Sequence, residues 1–473
     1  MLKRRLLSSG LSAITLLTLF APNSRAEEYS AACVSTISQA DQLYLEGDTT
    51  AAEQLYRQCK SAGSSTVTTY FPEPITDITQ LEPNEQSNWQ QAQTSLSRNR
   101  QERALVFLKN LLERSPEFVP AYSLLAEALQ DTEASDEALA VLEQASTLFP
   151  HDADIANARI SALRSVDQPL EASIAARLFA MVNPDHPEVN GFQKSAQKDL
   201  ERFKSSVRSQ YLAQTGLGIV GNILLGGGSV LENALNPQTL QAVQMVVEGE
   251  SKMGSRFAAQ YVSDAKSSDK LFEDPVVVDY VTRIGEDVAE LMGRDEFEYE
   301  FWVIEDPSIN AFALPGGKVF VHTGAILAAN SESELAGLIG HEVAHAVLSH
   351  GYQRMSQASL LAAANNVIPA GGNLLGLVAL SGSRQNERQS DILGTRAVAG
   401  AGYAADGLHN FFRTLNEQGG QSPPEYLSTH PATTTRLSYL DALIDENGYN
   451  RFAYEGIARH REIQQRVRET LGN

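Results

Sequence analysis

Pro116, Pro150 and Pro184 stand 34 residues apart, twice in succession, and each closes a stretch whose apolar residues recur at helical spacing. Aligned on that period, the unit from residue 119 carries Tyr122, Leu125, Ala126, Leu129, Ala138, Leu142 and Ala145 before Pro150. The preceding unit matches at Ala92, Ala104, Leu108, Leu111 and Pro116, and the following one keeps Ala172, Phe179 and Pro184. One pair of helices with its turns fills such a period. A pair cannot bury its apolar face alone, so successive pairs must stack, small residues letting paired helices approach and larger ones filling the joint to the next unit.

This pattern closely resembles the tetratricopeptide repeat and is assigned to residues 85–187. A further hairpin of that form, "LYLEGDTTAAEQLYRQC", turns at Gly47-Asp48 within 27–62, and a Thr/Pro-containing linker (63–84) separates it from the repeats. Cys33 and Cys59, the only 2 cysteines, lie opposite each other across that turn. In an oxidising compartment this favours a Cys33–Cys59 disulfide, against the alternative of two free thiols in a helical core. Stacked pairs offer a concave surface for a partner or substrate segment, or serve as a rigid spacer, and the sequence leaves both open.

The start of the chain bears on compartment. Lys3, Arg4 and Arg5 precede an apolar stretch from Leu6 to Ala21, and Ser24 and Ala26 supply the small residues of a leader cleavage site. A signal peptide over 1–26 is expected, with an uncleaved membrane anchor as the alternative. Its removal would take the formal charge from −21 to −25, because Lys3, Arg4, Arg5 and Arg25 leave with it. An acidic chain has no basic excess to neutralise phosphates, which argues against a nucleic-acid partner. Two apolar passages, "TGLGIVGNILLGGGSVL" and "ASLLAAANNVIPAGGNLLGLVAL", are broken by glycine, asparagine and proline. A buried or lid-forming hairpin is expected of the second, and no transmembrane segment after leader cleavage.

The chemistry is concentrated in "HEVAHAVLSHG" (341–351). In a helix, His341 and His345 project about 40° apart on one face, which lets two imidazoles bind one zinc ion at about 2.0–2.1 Å. Glu342 lies beside that site, placed to take a proton from water. His350, nine positions beyond His341, would point about 180° away on a continuous helix. It is therefore expected to pack or cap near Gly351 and not to bind. A third ligand must come from elsewhere, and "NERQSD" offers Glu387 and Asp391 on one helix face. Glu387 is expected on the metal and Asp391 behind a ligand imidazole, accepting its N–H and fixing its orientation.

Together, "NAFALPGGKVFVHTGAI", "HEVAH", "NERQSD" and "STHPATTTR" resemble, over roughly 250–445, a group of gluzincin metallopeptidases. The group includes the CAAX prenyl endopeptidases, the Oma-type mitochondrial peptidases and the bacterial β-barrel assembly-enhancing protease. The resemblance implies one zinc ion per chain, endopeptidase activity and a mostly helical domain with a small sheet. It also implies that the strand edge at Asn310, Ala311, Phe312 and Ala313 holds an extended substrate by strand addition, unless that hairpin is only structural. His430 would then lie close to the metal, stabilising an oxyanion or filling the fourth position and holding the enzyme latent, unless its role is only structural. Arg436, just downstream, is expected among the substrate-binding residues. One departure is visible: Ser390 stands where the group has alanine. In the assembly-enhancing protease the repeats follow the peptidase, whereas here they precede it, so partners are not carried over.

The expected fold class is mostly α, a tetratricopeptide-like repeat module plus a zincin-type metallopeptidase domain with a small β-sheet, the connector spanning 188–250 and the peptidase 251–473. The expected function is an exported, periplasmic zinc endopeptidase acting on unfolded or misassembled envelope proteins, its repeats recruiting substrate or the outer-membrane assembly machinery. The rival is a repeat-based chaperone or scaffold with a latched zinc site. A zinc hydrolase of non-peptide substrates fits the strand-edge motif poorly.

Overall fold

The computed structural model describes residues 30–60, 73–225, 245–246, 248–365, 384–418, 425–430 and 434–472. The expected leader lies outside them, as do residues 63–72 of the linker, the end of the first apolar passage (226–231) and most of the second. Within them the chain is mostly α, with one four-stranded sheet, and no described helix is long and apolar enough to cross a membrane.

Three helix pairs follow the 34-residue period: α3 (Pro83–Leu96) with α4 (Gln101–Arg114), α5 (Val119–Gln130) with α6 (Ser135–Leu148), and α7 (Ala153–Ser165) with α8 (Pro169–Val182), after an N-terminal hairpin of α1 (Ala31–Leu45) and α2 (Thr49–Cys59). The turn inside each pair holds one non-glycine residue in the left-handed region: Asn99, Glu133 and Asp167, at φ 53°, 61° and 55°. The period therefore extends to the backbone, since a left-handed residue re-aims the chain within one position. Ser115, Phe149 and Asn183 end α4, α6 and α8 and donate back to Leu111, Ala145 and Phe179. Each is followed by a proline, or in the third case precedes Pro184, which disfavours further helix.

The N-terminal hairpin packs away from the repeats. Its two cysteines are bonded, with Cα atoms 5.4 Å apart, yet it does not extend the repeat stack. Ile37, Ala40, Ala52 and Tyr56 form one apolar cluster with Phe452 and Ile457, near the far end of the chain. Charge decides the docking. Lys60 is buried between Asp406 and Glu455, while Asp41 accepts Tyr56 Oη at 2.7 Å and the amides of Glu455 and Gly456 at 2.9 and 3.0 Å. Buried charges need partners in place, and those partners lie beside the peptidase-like region.

After the long helix α9 (Val189–Leu225) and α10 (Glu250–Ser267) comes the sheet: β1 (Leu271–Phe272), β2 (Glu300–Ile304), β3 (Ala311–Leu314) and β4 (Lys318–His322), in the order β1-β2-β4-β3. β4 runs parallel to β2 and antiparallel to β3. Gly316 and Gly317, at φ 73° and 80°, make the β3–β4 turn, a conformation that glycine adopts without steric cost. One sheet face, through Val303, Val319 and Val321, packs on α11 (Pro275–Ala289) and on the helix that carries the two histidines. On the other, Trp302, Phe320 and Phe312 stack at 4.8 and 5.0 Å under Met253 and Phe257.

Candidate metal centre

A short helix α12 (Thr323–Ala328) leads into α13 (Glu332–Val347), every residue of which is buried. Its start is fixed reciprocally: Ser331 Oγ accepts the Glu334 amide at 3.1 Å, and Glu334 Oε2 accepts the Asn330 amide at 2.9 Å. After α14 (His350–Asn365), α15 (Arg384–Gly400) crosses α13 closely because glycines meet at the crossing. A Cβ built on Gly394 would stand 3.0 Å from the Gly340 carbonyl carbon. That approach brings Glu387 to His341 and His345. The remaining helices are α16 (Gly407–Gln418), the short α17 (Glu425–Thr429), α18 (Thr434–Glu446) and α19 (Ile457–Thr470), and α17 delivers His430.

His341, His345, Glu387 and His430 present one ligand atom each, all within 4.8 Å of one another. His341 Nε2 lies 3.0 Å from His345 Nε2, 3.5 Å from Glu387 Oε2 and 3.3 Å from His430 Nδ1. His345 Nε2 is 3.4 Å from Glu387 Oε1, and His430 Nδ1 is 2.8 Å from Glu387 Oε2. Donors at about 2.0–2.1 Å from a tetrahedral zinc ion would stand roughly 3.3 Å apart. The spacing fits, and so does the chemistry. Glu387 Oε1 and Glu342 Oε1 are buried without a hydrogen-bond partner, a cost that a cation at this point would offset.

Around the cluster the environment is shaped from behind. His341 Nδ1 is 2.9 Å from Asp391 Oδ1, which leaves Nε2 free for a metal. Burial alone would depress His341, but hydrogen bonds to Asp391 and Glu387 outweigh it and hold the imidazole up at about 9. His345 has no such carboxylate behind it, and burial takes it well below its ordinary value. Burial opposes ionisation of Glu387, yet the surrounding histidines keep it well below the usual carboxylate range.

Arg436 and His350 are held by contacts that sequence spacing does not signal. Nε and Nη2 of Arg436 donate to the Asp391 oxygens, both at 2.7 Å, its Nη1 lies 3.2 Å from Glu387 Oε2, and its guanidinium covers the Phe412 ring at 4.2 Å. It braces the two carboxylates. His350 does not point away. α13 ends at Val347, Ser349 turns the chain at φ 61°, and a new helix begins at His350. The extrapolation round a continuous helix fails there, and His350 Nδ1 comes to 3.0 Å from His345 Nδ1. Gly351 is the second residue of that second helix. Ser390, the departure from the family pattern, places Oγ 3.4 Å from His350 Nδ1. No spacing rule signals this contact, because the break is imposed by side chains distant in sequence.

The edge at β3 has a defined polarity. The His322 amide donates to Asn310 O at 3.0 Å, so positions 310, 312 and 314 pair with β4 and the backbone groups of 309, 311 and 313 face away from it, on the outer side of β3. Ile309 O is already used: it accepts the Tyr426 amide at 3.1 Å. Tyr426 stacks on His430 with ring centroids 4.5 Å apart, and His430 Nε2 lies 3.6 Å from Glu342 Oε1. The segment 425–430 thus touches the strand edge, the ligand cluster and Glu342 together.

Residues 277–444 match peptidase family M48, and residues 95–160 match a tetratricopeptide-repeat family. The chain is 29% identical over 199 residues to a beta-barrel assembly-enhancing protease of Yersinia pestis, covering 38% of this chain and 41% of that protein. The corresponding protein of Escherichia coli is 28% identical over the same length. A mitochondrial metalloendopeptidase OMA1 of Arabidopsis thaliana is 29% identical over 225 residues, 46% of this chain and 43% of that one. The chain thus spans about two fifths of the length of these relatives.

Proposed function

Over residues 277–444 this chain belongs to peptidase family M48, and from that premise we propose that it is an exported zinc-dependent endopeptidase that cleaves unfolded or misassembled envelope proteins. The observation that carries the reading is the convergence of His341, His345 and Glu387 beside Glu342, with the outer strand β3 of the sheet alongside. His341, His345 and Glu387 would hold the ion. Zinc supplies Lewis acidity that polarises a peptide carbonyl and makes water a nucleophile at neutral pH. The chain's own part is the handling of substrate and protons. Outward backbone groups at Ala311 and Ala313 pair with an extended substrate, reading backbone more than side chain. Glu342 takes the proton from the attacking water and returns it to the nitrogen of the leaving amine.

His430 closes the site in this reading. Its Nδ1 completes a four-donor set, and its ring stands between the other ligands and Glu342, where substrate has to enter. A closed, four-ligand arrangement is the structural kind of zinc site, and catalysis requires one position open. The geometry favours a latch over an oxyanion role for His430. Segment 425–430 occupies both the fourth position and the first outward carbonyl of the edge, so a substrate strand competes with it at two points. The same filled position is the one observation that favours the rival reading, a repeat-based binding protein with little proteolysis.

Export and a periplasmic location are supported by the leader-like start and by the Cys33–Cys59 bond. The relatives named for β-barrel assembly suggest the outer-membrane assembly machinery as partner, with the repeats as recruiter. The test is digestion of an unfolded model protein by the zinc-loaded chain beside Glu342→Gln. Cleavage by the wild type, abolished in the variant, is expected. Equal cleavage by both would sink the assignment, and client binding without cleavage in either would favour the chaperone.

A further inference from the structure

His350 is fully buried beside the ligand cluster but offers it no ligand atom. It is the middle of a chain of three side chains. Its Nε2 lies 3.1 Å from Gln389 Oε1, and its Nδ1 lies 3.0 Å from His345 Nδ1. An amide oxygen only accepts, so the His350 proton sits on Nε2 and a lone pair is left on Nδ1. The proton between the two Nδ1 atoms then belongs to His345. His345 Nε2, the atom facing His341 Nε2 and Glu387, is consequently a lone pair and never an N–H.

We propose that Gln389 and His350 are positioning residues that set the tautomer and ring orientation of His345, preparing its Nε2 for a metal ion. This rests on the zinc reading above. The two ligand histidines are prepared by different means: His341 by a carboxylate, Asp391, itself held by Arg436, and His345 by two neutral groups in series. Neutral partners add no negative charge to a site that already holds Glu387, Glu342 and Asp391, so the ion's charge is left less compensated and its Lewis acidity less blunted. The relay also has a direction. An amide turned end for end would donate to His350 Nε2, move the His350 proton to Nδ1 and so force the His345 proton onto Nε2, where it blocks metal binding.

The far end of the relay lies at the joint between the repeats and the peptidase. Gln389 lines a cavity of about 350 Å³ whose other walls include Leu139, Glu143, Arg159 and Glu171 of the repeats and Gln353 of α14. The amide that fixes the zinc ligand's tautomer thus both touches His350 and faces the repeat module.

The experiment is zinc affinity of the full chain, by competition with a chromophoric chelator, with the visible spectrum of the cobalt-substituted protein as a second readout. His350→Leu and Gln389→Leu remove the relay, whereas His350→Asn keeps an acceptor near His345 Nδ1 and Gln389→Glu keeps one for His350. His345→Ala is the reference for a lost ligand. Expected are about 10–100-fold weaker zinc binding and a shifted cobalt spectrum in the leucine variants, with affinity largely restored in His350→Asn and Gln389→Glu. Folded leucine variants with wild-type affinity and spectrum would overturn the relay. If His345→Ala also kept its zinc, the zinc reading itself would fall. Should the leucine variants not fold, the other pair decides alone: affinity near wild type supports the relay, and a loss as large as that of His345→Ala overturns it.

Discussion

Arg177, on the last repeat helix, donates from Nη1 to Ser349 Oγ at 2.8 Å, at the break between the two helices that carry His345 and His350. Arg294 reaches the same place from the peptidase side, donating to Val347 O at 2.8 Å, and Ser349 Oγ donates to Glu250 Oε2 at 2.7 Å. Two buried guanidiniums thus satisfy the end of the site-bearing helix, where carbonyls lack helical partners and the dipole favours cations. Thr147 and Glu171 add hydrogen bonds to Gln385 and Gln353. The repeat helices are therefore part of the support of the candidate metal centre.

Removing that support should be felt at the site. Arg177→Ala is expected to lower stability by about 1–3 kcal/mol and to weaken zinc binding in parallel, because Ser349 sets where His350 begins. Thermal melts with and without zinc check this. A loss of stability with unchanged zinc affinity would confine Arg177 to a structural role.

Opening the fourth position should raise activity. His430→Ala is expected to increase cleavage of an unfolded protein, about tenfold for each 1.4 kcal/mol by which the latch is stabilised. A fall in turnover, with zinc retained, would instead assign His430 to the chemistry.

The polarity of the β3 edge makes a sharper claim. The amide of Ala313 faces away from β4, so Ala313→Pro removes a donor to substrate while sparing the β3–β4 ladder. Loss of one backbone bond predicts about a tenfold drop in kcat/KM with zinc affinity unchanged. An unchanged kcat/KM in the folded variant would show that substrate binds elsewhere.

Acid sensitivity has an identifiable source remote from the ligand cluster. His460 is buried, held between Tyr280 Oη at 2.7 Å and the carbonyls of Ile326 and Ala329. Burial pushes its pKa down from 6.5 to about 4. The unfolded chain binds the extra proton first as pH falls, so stability is complete above 6.5 and lost on the way down to about 4. The loss is of order 3 kcal/mol. Urea midpoints of the wild type and His460→Gln, measured from pH 7.5 to 4, should converge toward the acid end. Parallel profiles would assign the acid sensitivity to other groups.

What the sequence determined by itself is whatever depends on neighbours along the chain. The 34-residue period needs only local helix geometry, and it is visible in the prolines and again in Asn99, Glu133 and Asp167. His341 and His345 share a face because four residues make about one turn, and Glu387 and Asp391 share one for the same reason. The tertiary structure decided everything that depends on a break or on a buried charge. Ser349 is forced into a left-handed turn that no glycine announces, since Arg177 and Arg294 arrive there from elements more than 50 residues away. That break turns His350 back onto His345. Arg436 braces Asp391 and Glu387 because a buried guanidinium must find carboxylates, and Lys60 carries the cysteine hairpin to Asp406 and Glu455 for the same reason. Local periodicity is written in spacing, whereas the partner of a buried charge is settled only when the whole chain has closed around it.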